Sequence, residues 1–214
     1  MNSFIIQYLG RRDTQEDSFL VSDNVFVVSD GMGGHARGEE ASRVAVDVFT
    51  HCAHDWKLAA QVADDQIQDL RLPWERPPGC TVTAMRVYDG HASIAHLGDS
   101  AAYLVSGGTV RQLTPLHRIG ENRLIACLGA DARTRDHIFV TELDVKPGDR
   151  VVLATDGLED LFPREWNPKD IKHPAAVPEG LREVLAMPET EMREYFVGRE
   201  GEMRDNLTLV CVDV

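Results

Sequence analysis

The sequence predicts an α+β sandwich, with two sheets flanked by a few amphipathic helices. Short runs rich in β-branched or aromatic residues recur from one end of the chain to the other, which indicates many strands. Turn sequences separate several of these runs, and helical patterns lie between others. At 214 residues the chain is expected to form one domain, residues 1–214, whose core needs neither disulfides nor a structural metal.

Nine runs of the chain have the composition and length of β-strands. Their β-branched and aromatic side chains suit the pleated, half-buried surface of a sheet. Asp89-Gly90 and Gly107-Gly108 lie between consecutive runs and are typical of tight turns. The predicted strands are 4–9, 18–21, 25–29, 81–87, 92–97, 102–105, 138–143, 151–155 and 207–212.

Helical patterns fill several of the intervals between these strands. After Glu39 the apolar residues recur every three or four positions and so share one helix face; they are Ala41, Val44, Ala45, Val48 and Phe49. A second helix is predicted over 57–70, ended by Pro73. Five prolines interrupt the stretch after residue 162, where helices are expected at 179–186 and 189–197.

The charge of the chain limits its partners. Lys and Arg number 22 against 35 Asp and Glu, which gives a formal net charge of −13 at pH 7. Because a phosphate backbone requires a basic surface, nucleic acid is not an expected partner. The same acidity would repel an anionic substrate unless bound cations reverse the local sign of the charge.

Cysteine spacing and hydropathy indicate a cytoplasmic protein. The four cysteines show neither Cys-x-x-Cys spacing nor a Cys/His cluster, so we expect reduced thiols in the core. The apolar run 4–9 has no basic region before it and predicts a strand. No apolar stretch reaches the length of a membrane span, so no membrane association is expected.

Four acidic residues stand at the ends of predicted strands. Two of them, Asp30 and Asp156, complete copies of one pattern, in which an apolar strand passes through a hydroxyl residue to Asp-Gly. Asp99 and Asp205 occupy similar positions. A single Asp-Gly pair more commonly marks a turn. Four such acidic residues, together with Glu16-Asp17, instead favour a site for Mg²⁺ or Mn²⁺, which prefer oxygen ligands.

These acidic residues belong to an ordered series of motifs. The series is RDTQED at 12–17, DGMGGH at 30–35, GCT at 79–81, GDS at 98–100, LT at 113–114, LG at 128–129, TDGL at 155–158 and RDNLT at 204–208. In this order it resembles the metal-dependent protein phosphatases of type 2C, and the DGMGG form is similar to their bacterial branch. The resemblance runs from about residue 4 to the C-terminus and is weakest between 163 and 200.

The resemblance implies a fold and a reaction. The fold is a pair of antiparallel sheets flanked by helices, an αββα sandwich. The reaction is hydrolysis of phosphoserine and phosphothreonine in proteins by a metal-activated water. The implied cofactor is Mn²⁺ or Mg²⁺, with two ions in the core site and a third, weaker ion of the kind found in bacterial relatives.

The resemblance also implies a role for each candidate metal ligand. Asp30 would bridge two metals, one of which the Gly31 carbonyl would also ligate. Asp156 and Asp205 would complete the other, and Glu16 would act mostly through coordinated water. The third metal would be held by Asp99 together with Asp156.

Arg12 is the residue that the resemblance assigns to the substrate phosphate. A guanidinium offers a planar fork of donors that matches phosphate oxygens better than an ammonium group does. The implied catalytic set is therefore Arg12, Glu16, Asp30 and Asp156. His35 fits a structural role in the glycine turn better than the role of a catalytic acid.

The sequence departs from the family pattern in several places. Gln15 replaces an Asn, Ala101 a basic residue and Leu116 an Asp. Only residues 118–123 separate His117 from Leu124, where relatives usually have a few dozen residues that form a mobile flap beside the active site. We therefore expect an open cleft, unless the 163–200 region folds back over it as a replacement lid.

Two classes of function remain open on the sequence alone. One is an active phosphatase of phosphoproteins, a monomer that opposes a Ser/Thr kinase, with a phosphatase specialised for a single regulator as the alternative among enzymes. The other is a pseudophosphatase, which would bind phosphoproteins on the same fold without hydrolysing them. The presence of Asp30, Asp156 and Asp205 favours the enzyme, because pseudo-enzymes typically lack part of the ligand set.

Overall fold

Two five-stranded sheets form the centre of the protein, and neighbouring strands in both are antiparallel. The computed structural model describes residues 1–32, 37–120, 123–130, 137–165 and 167–214. In spatial order, the first sheet contains β1 (Asn2–Tyr8), β12 (Leu207–Asp213), β11 (Arg150–Ala154), β6 (Ala101–Ser106) and β7 (Thr109–Gln112). The second contains β10 (Phe139–Asp144), β5 (His91–Leu97), β4 (Val82–Tyr88), β3 (Val25–Asp30) and β2 (Asp17–Val21).

The helices cover the outer faces of the two sheets. Two long helices, α1 (Gly38–His51) and α2 (Trp56–Asp69), pack their buried residues against the second sheet. The helices α4 (Glu179–Ala186) and α5 (Glu189–Phe196) pack against the first sheet. The predicted αββα sandwich is therefore confirmed. Among the described helices, none has both the length and the apolar character that crossing a bilayer would require.

Alternation of side chains along the strands explains why both faces of each sheet are buried. In β3, Phe26 and Val28 lie in the core between the sheets, whereas Val27 lies under α1. In β11, Leu153 faces the same central core and Val152 faces the outer helices. Because successive side chains of a strand point to opposite faces, a strand covered on both sides needs a continuous apolar run.

The sequence predicted the central strands and the longer helices, and it missed short polar elements. All nine predicted strands and four predicted helices are present, with bounds that differ by a few residues. The element β7 was not predicted, because TVRQ is a short, polar edge strand whose partner β6 lies across the Gly107-Gly108 turn. The helix α3 (Leu158–Leu161) was also missed, because its four residues are too few to show a helical pattern.

The four cysteines are free thiols, as predicted. Cys80, Cys127 and Cys211 are buried, whereas Cys52 is partly exposed and so lies at the margin of the core.

A short hairpin follows His117, in the segment where the sequence predicted that a flap is missing. It consists of β8 (Arg118–Ile119) and β9 (Arg123–Leu124). Beside it lies a 3₁₀ turn at Pro168–Ile171, in which the backbone oxygen of Asp170 accepts a hydrogen bond of 2.7 Å from the Leu116 N–H. Since α4 and α5 pack on the outside of the first sheet, the part of the 163–200 region that these helices form is an outer layer and not a lid.

Two buried histidines join β5 to the segment that leads into β8. The His96 and His117 rings lie 5.0 Å apart between centroids, and the Gly98 N–H donates to His117 Nδ1 at 3.1 Å. Burial lowers the pKa of His96 well below its ordinary value. Burial, and then the charge of His137, lower the pKa of His117 to about 4. Both rings are therefore neutral in the folded protein at neutral pH.

We expect this pair to make the fold sensitive to acid. A histidine whose pKa is depressed on folding binds its proton more readily in the unfolded state, so stability falls as pH drops from about 6.5 to about 4. For His117 alone the loss at about pH 5 is on the order of 2 kcal/mol. In His117→Asn, the side-chain oxygen can accept the same hydrogen bond from the Gly98 N–H and does not titrate.

Urea unfolding of the two proteins at about pH 7.5 and about pH 5, both in EDTA, checks this expectation. The variant should lose less stability than wild type between these pH values. Equal losses would show that His117 does not contribute to the acid sensitivity.

Candidate active site

Four acidic residues meet at one end of the sandwich. Asp30 is the last residue of β3, and Asp17, the first residue of β2, pairs with it in register. Asp156 comes two residues after the end of β11, and Asp205 comes two residues before the start of β12. The strands β11 and β12 are neighbours in the first sheet. The charges of Asp156, Asp17 and Asp205 all act on the Asp30 carboxyl. The strand-end pattern therefore brings the predicted ligands Asp30, Asp156 and Asp205 together.

Asp17 links the two sheets at this end. Its Oδ2 accepts hydrogen bonds from Thr155 Oγ1 at 2.8 Å and from Thr208 Oγ1 at 2.7 Å, and both threonines belong to the first-sheet side of the sandwich. Asp17 is only 5% exposed. Burial raises the pKa of Asp17 to about 7, although the two threonine hydrogen bonds oppose this rise. The sequence included Asp17 in a motif and gave it no role.

Burial and mutual repulsion shift the titration of the carboxyl groups in this cluster. Burial, followed by the charges of Asp156 and Asp17, raises the pKa of Asp30 well above its ordinary value. Burial, followed by the charge of Asp205, raises the pKa of Asp156 to about 6, and a hydrogen bond with Asp30 partly offsets that rise. Both carboxyl groups therefore hold their protons to a higher pH than an isolated aspartate does, because burial and the neighbouring negative charges disfavour their ionised forms.

The chemistry of these oxygens fits a divalent cation. Asp17 Oδ1 and Asp156 Oδ1 are buried and have no hydrogen-bond partner. Buried polar atoms are usually paired, so each unpaired oxygen has the capacity for a further positive partner. Within the described ranges, however, no three Asp, Glu, His or Cys side chains converge closely enough to form a finished metal cage.

Arg12 and Asp205 form an ion pair at the edge of the cluster. Arg12 Nη2 lies 2.5 Å from Asp205 Oδ2, and both side chains are partly exposed. The other carboxylate oxygen, Oδ1, accepts a 2.8 Å hydrogen bond from the Asn206 N–H. Asp205 is thus held beside the residue that the sequence assigned to the substrate phosphate.

Asn206 positions the segment that carries Arg12 and Glu16. Its Nδ2 donates to the backbone oxygens of Leu9 at 2.8 Å and Thr14 at 3.1 Å. Its Oδ1 accepts the Glu16 N–H at 2.8 Å. The sequence included Asn206 in the RDNLT motif without a role, because these contacts are made across 190 residues or more of chain.

Gly31 lies where two chain segments approach closely. Its N–H donates to the Glu16 backbone oxygen at 3.1 Å. A Cβ atom at this position would lie 2.3 Å from the backbone oxygen of Gly38, the first residue of α1, and 2.9 Å from that of Glu16. Only glycine fits between these two oxygens. The role of the Gly31 carbonyl as a ligand stays a prediction, and His35 lies outside the described residues.

A cleft of about 470 Å³ opens beside the acidic cluster. Of the predicted site residues, Arg12, Asp156 and Asp205 line it, whereas Glu16, Asp30 and Asp99 are not among its lining residues. The hairpin β8–β9 contributes Gly120. The remaining lining residues are Arg118, Glu159, Asp160, Pro163, Arg164 and Arg204.

Asp99 lies in a second charged group that the sequence did not reveal. Its carboxylate Oδ2 is 3.8 Å from Arg118 Nη1, and Arg118 Nη2 donates to Glu159 Oε2. Burial and the charge of Asp156 raise the pKa of Asp99 well above its ordinary value, and Arg118 opposes that rise. Glu159 is on α3 and lies 41 residues from Arg118, so no local pattern indicates this contact.

Comparisons with known proteins agree with the geometry of the acidic cluster. Residues 10–195 match the model of the family described as protein phosphatase 2C. The chain is 26% identical to the serine/threonine protein phosphatase PstP of Mycobacterium tuberculosis, in an alignment that covers 99% of this chain and 46% of the relative. It is 27% identical to the serine/threonine phosphatase stp of Listeria welshimeri, with 94% and 91% covered.

The chain spans about half the length of the mycobacterial relative. Both alignments extend over 246 positions, more than the 214 residues of this chain, so the relatives carry residues that this chain lacks.

Solved structures share the fold. The structure of Mycobacterium tuberculosis PstP/Ppp superimposes with a TM-score of 0.79 at 23% identity, covering 100% of this chain and 98% of that one. The catalytic domain of PstP in complex with two manganese ions gives a TM-score of 0.75 at 24% identity, with 99% and 97% covered. At these identities the likeness establishes the sandwich architecture.

Gly31→Ala should destabilise the protein and distort the cluster, because the new methyl group must displace the backbone oxygen of Gly38 or Glu16. Forced overpacking of this kind costs about 1–3 kcal/mol. Gly198→Ala is the matched control, since nothing lies within 4 Å of the added atom there. It should change stability by less than about 0.5 kcal/mol. Urea unfolding measures both, and equal midpoints would contradict the close approach at Gly31.

Proposed function

Because the chain belongs to the protein phosphatase 2C family, we propose that it hydrolyses phosphoserine and phosphothreonine in protein substrates with the help of divalent cations. The observation that carries this proposal is the convergence of Asp30, Asp156 and Asp205, with Asp17, beside a cleft that Arg12 lines. The chain would act as one catalytic domain.

We propose that Asp30, Asp156 and Asp205 hold two Mn²⁺ or Mg²⁺ ions. The Gly31 carbonyl would be a further ligand, and Glu16 would act mostly through coordinated water. When bound, such a pair of cations supplies an activated water and stabilises the charge of the attacking and leaving oxygens. The unpaired Oδ1 of Asp156 and the raised pKa values of Asp30 and Asp156 support this assignment. A cation bound between these carboxylates would offset the repulsion that contributes to their raised pKa values.

Arg12 is proposed to bind the phosphate of the substrate. Its guanidinium is partly exposed, lines the cleft and lies at the edge of the acidic cluster. Its present partner, Asp205, is also a proposed cation ligand. Once a cation engages Asp205, the Arg12 fork can turn its donors toward phosphate oxygens, with which it makes strong charge-assisted hydrogen bonds.

The substrate is proposed to be a phosphorylated protein that a Ser/Thr kinase modifies, recognised mainly through its phosphate. A short hairpin, β8–β9, borders the cleft where relatives have a flap, and it contributes Gly120 to the lining. Specificity would then come from protein surfaces outside the cleft. A monomer in the cytoplasm is the proposed state, and the four free thiols support a reducing compartment.

Turnover of a phosphopeptide or of p-nitrophenyl phosphate with Mn²⁺, and its loss in EDTA, tests the proposal. We expect activity to depend wholly on the cation, because among the described residues the carboxylate cluster is the group suited to activating water. Turnover that persists after exhaustive EDTA treatment would refute a cation-dependent mechanism. Binding of phosphopeptide without any turnover would instead identify a pseudophosphatase.

Asp30→Asn is the control for contaminating phosphatase in this experiment. It should lower kcat by at least about 10³-fold, because a bridging carboxylate is worth several kcal/mol in the transition state. Asp23→Asn changes an exposed aspartate and should keep normal turnover.

Arg12→Ala should weaken phosphate recognition more than cation binding. Loss of a charge-assisted contact costs about 1.5–3 kcal/mol, so kcat/KM should fall by roughly tenfold to over a hundredfold. The matched control is Arg11→Ala, since the adjacent Arg11 is exposed and donates to the Gly201 backbone oxygen at 2.7 Å. Phosphate inhibition and Mn²⁺ calorimetry separate the two effects. Weakened Mn²⁺ binding with unchanged phosphate inhibition would show that Arg12 acts on the cation site.

A further inference from the structure

Three charged side chains that line the cleft, Arg118, Glu159 and Arg164, form a chain of ion pairs that continues inward to the buried Asp99. Asp99 Oδ2 lies 3.8 Å from Arg118 Nη1, and Arg118 Nη2 donates to Glu159 Oε2. Glu159 Oε1 lies 3.1 Å from Arg164 Nε. The side chains of Asp99, Arg118 and Arg164 are 8%, 6% and 6% exposed, and that of Glu159 is 19% exposed. Water therefore screens these charges only weakly.

The charges in this chain balance. Two guanidinium groups lie beside two acidic side chains, so the formal charges of the four groups cancel when both acids are ionised. The farther arginine is fixed by neutral partners as well, since Arg164 donates to Gln112 Oε1 at 2.8 Å and to the Tyr103 hydroxyl at 3.0 Å. Asp99 thus has a nearby positive partner, whereas the buried Oδ1 of Asp156 has no hydrogen-bond partner.

The backbone holds Arg118 close to Asp99. The residues immediately before them are joined twice: the His117 N–H donates to the Gly98 oxygen at 2.7 Å, and the Gly98 N–H donates to His117 Nδ1 at 3.1 Å. The Ile125 N–H also donates to the His117 backbone oxygen at 2.8 Å, which fixes the base of the hairpin. These contacts hold the backbone next to both residues, and the contact of Arg118 Nη2 with Glu159 Oε2 holds the guanidinium itself beside Asp99.

We propose that Arg118 is a positioning residue that supplies, beside Asp99, the positive charge that a further divalent cation would otherwise bring. The inference rests on the proposed two-cation site and deepens it: the chain binds two ions, and Asp99 is committed to the ion pair. The short connection after His117 places the guanidinium there. An ion that approached Asp99 would meet a fixed positive charge and a carboxylate that is already paired.

Counting bound Mn²⁺ by native mass spectrometry of the full chain tests this inference. Wild type and Arg118→Lys, which keeps the charge, should bind two ions. Arg118→Met, which is similar in length and uncharged, should bind one ion more. That additional ion should be lost in the double variant D99N/R118M. Circular dichroism confirms that each variant is folded.

The outcomes separate the role of Arg118 from the proposed function. Three ions on wild type, one of them lost in Asp99→Asn, would overturn the role of Arg118 alone. A folded Arg118→Met that still binds two ions would overturn it as well. If Arg118→Met does not fold, the Asp99→Asn variant tests the inference instead. It should bind two Mn²⁺ ions, the same number as wild type. Wild-type protein that binds no Mn²⁺ would refute the proposed cation site itself.

Discussion

The structure depends on burying several carboxylates against one another at one end of the sandwich. Burial and mutual repulsion both raise the pKa values of Asp17, Asp30 and Asp156. Such a cluster survives in a folded protein only where hydrogen bonds or positive partners offset the repulsion. Here Asp17 accepts hydrogen bonds from Thr155 and Thr208 and thereby ties one sheet to the other. The contact that closes this end of the sandwich is therefore also part of the acidic cluster.

The sequence predicted those parts of the fold that are set by local pattern. The strands that form the centre of each sheet are continuous apolar runs, and the helices that cover them carry a clear apolar face, as α1 does. The hairpin β8–β9 and the edge strand β7 were not predicted. Each is short: among the described strands, β7 pairs only with the edge of β6, and β8 and β9, of two residues each, pair only with one another. Local propensity carries almost no information about such elements.

The same distinction applies to the site. Asp30 and Asp156 could be predicted as candidate ligands because each stands at the end of a buried strand. The two strands belong to different sheets, so the packing of one sheet on the other brings these carboxylates together. The pairing of Arg118 with Glu159 and of Arg12 with Asp205 joins residues 41 and 193 positions apart. Such pairs form because the packing of the sheets and the hairpin brings distant parts of the chain together. Resemblance supplied the role of Arg12, but only the structure shows what holds its guanidinium.

The arrangement of charge in the cleft refines the argument from composition. The chain carries a formal net charge of −13, which led to the expectation that cations must reverse the local sign. The cleft, however, is lined by four arginines, namely Arg12, Arg118, Arg164 and Arg204, and by four acidic residues, namely Asp156, Glu159, Asp160 and Asp205. Its lining is thus balanced, while the excess of acid lies elsewhere on the protein. Each divalent cation held by Asp30, Asp156 and Asp205 would add positive charge to this balanced cleft, so a phosphate dianion would be attracted there despite the net negative charge of the protein.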